Sequence, residues 1–125
     1  MNIRHATLAV VATSIFILTA CERLFEPTCH ALTSDLNVAL DQALDAHNGC
    51  TQDSDCVVAS IDTACRGACP VAIRADAKPS FDAEIVNIDE RVCIATEFAA
   101  VCGFATPGCA TATAQCVAGR CEMVP

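Results

Sequence analysis

The sequence predicts a small α+β domain that is held together by disulfide bonds and preceded by a signal peptide. The chain has 125 residues, enough for one domain, and 11 of them are cysteines, far above ordinary usage. Apolar residues recur at helical spacing in two segments, and other segments show the alternation and turn residues of strands. We therefore expect two helices, a small antiparallel sheet and a disulfide framework typical of oxidising compartments.

Residues 1–20 are predicted to be the signal peptide. Arg4 supplies a positive charge near the start, and residues 6–18 form an uncharged, mostly apolar stretch. This is the layout of a secretory signal. The apolar stretch is shorter than the roughly 20 residues that a membrane-spanning helix needs.

The residues that follow, Leu18-Thr19-Ala20-Cys21, resemble the lipobox of bacterial lipoprotein precursors. The resemblance implies that the chain is cut between Ala20 and Cys21, that the Cys21 sulfur carries a diacylglyceryl group, and that the new amine is acylated, as with palmitate. Two or three acyl chains anchor a protein stably where one does not. The alternative is an ordinary cleaved signal, with Cys21 as a further disulfide partner. Apart from these lipids we expect no cofactor.

The cysteine count supports the lipid assignment independently. Eleven thiols cannot all pair within one chain, whereas giving Cys21 to lipid leaves ten, which form five disulfides. The predicted disulfide cysteines are Cys29, Cys50, Cys56, Cys65, Cys69, Cys93, Cys102, Cys109, Cys116 and Cys121. Their connectivity stays open, because spacing alone does not determine it.

The mature chain is predicted to begin with a membrane tether, residues 21–28, followed by the disulfide-rich domain, residues 29–125. Even fully extended, the tether between Cys21 and Cys29 spans at most about 30 Å. The membrane is therefore an expected partner through the anchor, and the domain is expected to lie close to it.

The charge of the mature chain excludes one class of partner. Fifteen acidic residues face only six basic ones once Arg4 is removed with the signal. Nucleic-acid binding needs clustered Lys and Arg, so we expect no nucleic acid. Much of the apolar content is Ala and Cys, which leaves the core marginal without its bridges.

Residues 33–48 are predicted to form the first helix. Leucines recur every four residues, at Leu32, Leu36, Leu40 and Leu44. Thr33 or Ser34 would cap its start, and Asn48-Gly49 would end it in a left-handed conformation. His47, near that end, favours the helix dipole.

Two strands and a second helix are predicted next. Residues 56–61 alternate as a strand, and the turn-rich loop 62–67 leads to a second strand at 69–73. That second strand is expected at an edge, because Pro70 donates no hydrogen bond. The second helix is predicted to start near Ser80, with an apolar stripe of Phe81, Ile85, Ile88 and Val92.

The chain is predicted to end in a hairpin. After a loop at residues 103–107, residues 115–124 form two short strands that turn at Ala118-Gly119. Cys116 and Cys121 lie symmetrically about that turn. We expect both to point to one face, and each to bridge to another element rather than to the other.

Recognisable catalytic and metal-binding motifs do not occur in the sequence. There is no Cys-x-x-Cys, and the closest spacing, Cys65-x3-Cys69, favours neither zinc nor thioredoxin-like redox chemistry. No Gly-x-Ser-x-Gly elbow or His-Glu-x-x-His helix is present. His30 beside Cys29 is interpreted as a solvated turn residue next to a disulfide. We therefore expect no enzyme activity and no bound metal.

The loop from Cys50 to Cys56 contains two carboxylates, Asp53 and Asp55. Clustered oxygens bind calcium, but a calcium loop needs more ligands than these residues offer. Asp and Ser also favour turns through bonds to their own backbone. A structural turn is the preferred interpretation, with calcium as the alternative.

Cysteine patterns further along the chain carry a second resemblance. Cys50–Val58, Gly67–Val71, Pro107–Cys109 and Cys116–Cys121 resemble segments of the cysteine-rich lipoproteins common in myxobacteria and related deltaproteobacteria. The resemblance implies an envelope lipoprotein and no particular activity.

A protease inhibitor is the alternative function. The Cys50-x5-Cys56 spacing is similar to whey-acidic-protein modules, although this chain lacks their adjacent cysteine pair. Arg66, between Cys65 and Cys69, would then be presented on a loop whose ordering cost the disulfides reduce.

The sequence as a whole favours a non-enzymatic, lipid-anchored cell-envelope protein that acts as an interaction or structural module. By family analogy, Glu22 stands where Asp is linked with inner-membrane retention in enterobacteria, which favours the outer membrane. An enzyme should show a cleft with convergent acids or a histidine. A binding module should show a contiguous exposed apolar patch.

Overall fold

The structure, a computed structural model, describes residues 27–125. The predicted signal peptide and lipidation site therefore lie outside the described residues. In chain order the helices and strands are α1 (Cys29–His47), β1 (Cys56–Ala59), β2 (Val71–Arg74), α2 (Lys78–Ile88), α3 (Phe98–Cys102), β3 (Thr113–Val117) and β4 (Arg120–Val124). The predicted disulfide-rich α+β fold is confirmed. None of the helices in residues 27–125 combines the length and apolar character needed to cross a bilayer.

Helix α1 begins four residues before its predicted start. Thr28 caps it, because the Thr28 hydroxyl oxygen accepts a hydrogen bond from the Ala31 N–H at 3.3 Å. The leucine stripe faces the core as expected, with Leu32, Leu36 and Leu40 buried and Leu44 partly buried. The predicted left-handed stop is wrong, since Asn48 has φ −109° and Gly49 instead forms a β-bridge with Arg120.

Strands β1 and β2 form an antiparallel two-stranded sheet with Val57 opposite Ile73. Both strands are shorter than predicted, and β2 begins at Val71, just after Pro70. One face of this sheet packs on α1 and α2 in the main core. The opposite face packs on the C-terminal hairpin through a smaller cluster that includes Cys56, Ala72 and Cys121. The domain is thus layered, with the helices and the hairpin on opposite faces of β1–β2.

Helix α2 starts at Lys78, with Pro79 in its first turn, where a missing N–H costs nothing. Its predicted apolar stripe, Phe81, Ile85, Ile88 and Val92, is buried. The stripe continues past the helix into a π-helical turn, Asp89–Ile94, which places Cys93 in the core. The short helix α3 that follows was not predicted.

The hairpin of β3 and β4 turns at the predicted residues. Ala118 and Gly119 both have positive φ, 50° and 83°, as a two-residue turn of this handedness requires. Cys116 and Cys121 are directly opposite each other and point to the same face. The hairpin forms a sheet of its own instead of extending the sheet of β1 and β2.

All ten predicted disulfide cysteines are paired. The bonds are Cys29–Cys102, Cys50–Cys116, Cys56–Cys121, Cys65–Cys93 and Cys69–Cys109. Each hairpin cysteine bridges to another element, which confirms that prediction. Sequence separations run from 28 to 73 residues, so the bridges join segments distant in the chain.

Candidate functional site

A groove lies where the end of α1 meets β2 and β4. We call it the hairpin groove; it has a volume of about 420 Å³, within the range of ligand pockets. Its lining is Asp41, Leu44, Asp45 and Asn48 from α1 and its cap, Pro70, Val71 and Ala72 from β2, and Arg120, Cys121, Glu122 and Met123 from β4. Apolar side chains and acidic side chains therefore share one concave surface.

Backbone contacts hold β4 against the end of α1. The Cys121 N–H donates to the Asn48 carbonyl at 2.7 Å, and the Cys50 N–H donates to the Gly119 carbonyl at 3.0 Å. The disulfide from Cys56 to Cys121 fixes the same strand to β1. These contacts join β4, which lines the groove, to the end of α1 and to β1.

The charge of the groove is negative. Asp45 forms an ion pair with Arg120, and both side chains are more than half exposed, so this pair adds little stability. Asp41 and Glu122 are exposed and have no ion-pair partner among residues 27–125. The groove thus carries three acidic side chains and one basic side chain.

Asn48 places an amide in the groove. The residue is only 8% exposed, and its side chain makes no hydrogen bond to any residue that the structure describes. In that part of the chain, no fully buried polar side-chain atom lacks a partner. The Asn48 amide is therefore partly accessible to solvent. Asn48 is one of the residues that line the hairpin groove.

The acids of the groove do not converge on one point. Within residues 27–125, the only three metal-type ligand atoms within 4.8 Å of one another are the sulfurs of Cys50, Cys56 and Cys121. Each of those sulfurs is in a disulfide. The three groove carboxylates therefore do not all lie within 4.8 Å of one another.

The two histidines of the domain lie elsewhere. His47 Nε2 is 3.0 Å from Glu84 Oε2, and its ring packs edge-on against Phe81, 5.9 Å between centroids. His47 thereby joins the end of α1 to α2. His30 is exposed in the first turn of α1, and its neighbour Cys29 is bonded to Cys102. His30 has no thiol to activate there.

The carboxylates of the loop from Cys50 to Cys56 are used to shape the chain. Asp55 accepts hydrogen bonds from the backbone N–H groups of Thr51 and Gln52 and from both of their side chains. These bonds, with those from Thr51 first, lower the pKa of Asp55 to about 2. Asp53 accepts from the Cys116 N–H at 2.8 Å. Asp55 therefore closes the turn preferred from the sequence, and Asp53 joins this loop to β3.

Arg66, the residue considered for an inhibitor, is held against α1. Its guanidinium donates to Asn37 Oδ1 at 2.8 Å, and its carbonyl accepts from the Thr63 N–H. The loop is shaped by Asp62, which accepts from the Ala68 N–H and the Ser60 hydroxyl; these bonds lower the pKa of Asp62. Arg66 is therefore partly buried and hydrogen-bonded within its own domain.

The groove was not predicted from the sequence. Asp41 and Asp45 are spaced to lie on the same helix face, and Asn48 follows at the cap, which was an available signal. The contribution of β4 to the groove could not be predicted from the sequence, because it depends on where the hairpin packs.

No family model, curated protein or solved structure matches this chain.

Proposed function

We propose that this chain is the precursor of a lipid-anchored cell-envelope protein whose disulfide-stabilised domain is a non-enzymatic interaction module. The observation that carries the proposal is the cysteine pairing. The ten cysteines from Cys29 onward form five disulfides with one another. Lipidation of Cys21 would therefore leave none of these cysteines without a partner. The lipobox resemblance at Leu18–Cys21 supplies the chemistry of the anchor, and Glu22 favours the outer membrane.

The hairpin groove is the proposed recognition site, and its proposed ligand is a basic segment of a protein partner. The ammonium groups of neighbouring lysines would meet the carboxylates of Asp41 and Glu122, and the amide oxygen of Asn48 would accept a hydrogen bond from one lysine. Its methylene stem would lie against the apolar side chains of Leu44 and Met123, which line the groove. The acidic surface also steers a basic partner towards the domain.

The anchor is tested by intact mass spectrometry of the unreduced protein extracted from membranes. We expect loss of residues 1–20, the added mass of the acyl groups, and ten hydrogens fewer than the reduced chain. Cys21→Ser is the control and should remove the acyl mass without changing the disulfides. A wild-type protein that retains Met1, or that carries no lipid, would refute the anchor.

The groove is tested by titrating isotope-labelled Cys21→Ser protein with end-capped trilysine, with triglutamate as the charge control. We expect the side-chain amide signals of Asn48 to shift with trilysine, and the shift to weaken as salt rises. The variant Asp41→Asn/Glu122→Gln should weaken binding at least several-fold.

The matched control for the groove is Asp35→Asn/Glu90→Gln, which removes the same charge at exposed positions outside the groove. It should leave binding nearly unchanged. If both double variants weaken binding equally, trilysine is responding to net charge, and the groove is not the recognition site.

A further inference from the structure

Two large apolar side chains are exposed at the C-terminal end of α3. Val101 is 46% exposed and Phe104 is 60% exposed. They are separated by Cys102 and Gly103, and Gly103 has φ +76°, which ends the helix. We call the surface formed by Val101 and Phe104 the α3 tip.

The α3 tip is covalently fixed to the point where the tether enters the domain. Cys102 lies between the two apolar residues in the chain and is bonded to Cys29, the first residue of α1, with 5.1 Å between their Cα atoms. Only residues 22–28 separate Cys29 from Cys21, a reach of at most about 30 Å. A lipid on Cys21 would therefore hold this end of the domain, before any other, near the bilayer.

The chemistry of the α3 tip differs from that of the rest of the domain. No Asp, Glu, Lys or Arg occurs from Phe98 to Gly119, although the chain carries 15 acidic residues. Along the sequence, the acid nearest to this segment is Glu97, four residues before Val101. A segment without acidic side chains can approach anionic lipid headgroups, whereas the acidic segments of the domain are repelled by them.

The hairpin groove lies at the opposite end of the long helix. Helix α1 has 19 residues and begins at Cys29, beside the α3 tip. A helix of that length is about 28 Å long. Asn48, which lines the groove, directly follows the last residue of α1. The C-terminal end of α1, which lines the groove, is therefore about a helix length from the point where the tether enters the domain.

We propose that the α3 tip docks on the bilayer that holds the Cys21 lipid, with Phe104 entering the interface, and so orients the hairpin groove away from the membrane. The docking rests on the proposed lipid anchor. The partner is the lipid surface itself, and the interface is a second membrane signal added to the acyl chains.

The chain has no tryptophan and no tyrosine, so a single introduced indole reports its own environment. The experiment uses acylated Phe104→Trp protein in vesicles of phosphatidylethanolamine and phosphatidylglycerol, with and without brominated phospholipid. We expect a blue-shifted emission and at least several-fold stronger quenching than for acylated Val86→Trp. Val86 is the matched control because it is 57% exposed on α2.

The outcomes separate the docking from the anchor. Acylation and vesicle flotation of both proteins are measured first, and a protein that is not acylated or does not float refutes the anchor. If both proteins float and Phe104→Trp is quenched no more than Val86→Trp, the docking is refuted while the anchor stands.

Two further measurements test the surface itself. Adding Val101→Asp to Phe104→Trp should return the emission towards that of an indole in water, with flotation unchanged. Unchanged quenching would refute docking through the tip. A blue shift that grows with concentration in lipid-free Cys21→Ser/Phe104→Trp protein would show that the tip binds a second copy of the chain instead.

Discussion

Thr51 and Asp55 are joined twice through one carboxylate oxygen. Oδ2 of Asp55 accepts a hydrogen bond from the backbone N–H of Thr51 and another from its hydroxyl, each at 2.8 Å. The pair closes the turn that precedes β1, where Cys56 begins the strand and bonds to Cys121. The Asp55 carboxylate, which could be taken for a metal ligand, thus holds the turn that leads into Cys56 and its disulfide to Cys121.

The acid stability of the domain is expected to depend on Asp55. Its pKa is about 2 in the folded protein and 3.8 when unperturbed. A lowered carboxyl pKa contributes stability that is complete above the unfolded value and is lost as pH falls through the folded value. We expect Asp55→Asn to be less stable at pH 7 and to lose less stability than wild type between pH 4 and pH 2.

The measurement for this prediction is the urea midpoint at each pH. Asp35→Asn is the control, since Asp35 is exposed and makes no side-chain hydrogen bond or ion pair within residues 27–125. Parallel acid profiles of wild type and Asp55→Asn would contradict the assigned role of Asp55.

The five disulfides are expected to differ in how readily they are reduced. Cys29 and Cys109 are exposed, whereas Cys65 and Cys93 are buried in the main core. Thiolate attack needs access to a sulfur, so the bonds of the exposed cysteines should open first. The Cys65–Cys93 bond should open only when the domain unfolds. Alkylation during a time course in dithiothreitol, followed by mass spectrometry, gives the order.

Complete reduction is expected to unfold the domain, because each disulfide contributes about 2–4 kcal/mol by restricting the unfolded chain. Far-UV circular dichroism of the reduced, alkylated protein should show loss of most helix signal. A native spectrum after all five bonds are open would contradict this expectation.

Phe81 is expected to be the most sensitive position of the core. Its side chain is fully buried between the helices and contacts the ring of His47. Phe81→Ala should destabilise the domain by about 3–5 kcal/mol, through lost burial and the cavity left behind. Val86→Ala on the exposed face of the same helix should change stability by less than about 0.5 kcal/mol. Urea unfolding of both variants makes the comparison.

We expect that a substitution at Ala118 can stabilise the hairpin turn. Its φ of 50° is unfavourable for alanine, whereas asparagine tolerates this region and precedes glycine in the preferred two-residue turns. Ala118→Asn should raise the free energy of unfolding by about 0.5–1 kcal/mol. Ala118→Val should lower it, because a β-branched residue suits positive φ least. A thermal shift of the same sign for both variants would contradict this reasoning.

The elements that the sequence predicted correctly are those with a local physical cause. The stripe from Phe81 to Val92 and the leucines of α1 repeat with the period of a helix, so burial of one face follows from spacing alone. The turn at Ala118-Gly119 lies between two short apolar runs and depends mainly on its own two residues. The predicted start of α1 is too late because Thr28 and Thr33 can both cap a helix. In the folded chain Thr28 is the cap.

By itself the sequence determined the class of fold, the approximate positions of α1, α2 and the hairpin, and the even number of cysteines beyond Cys21. Tertiary structure alone decided which cysteines pair, that two small sheets form instead of one, and that Asp41, Asn48 and Glu122 share a groove. The physical reason is the separation along the chain of the residues that determine each feature. Helical period and turn conformation involve neighbours in the chain, whereas a bridge across 28 to 73 residues depends on how every intervening element packs.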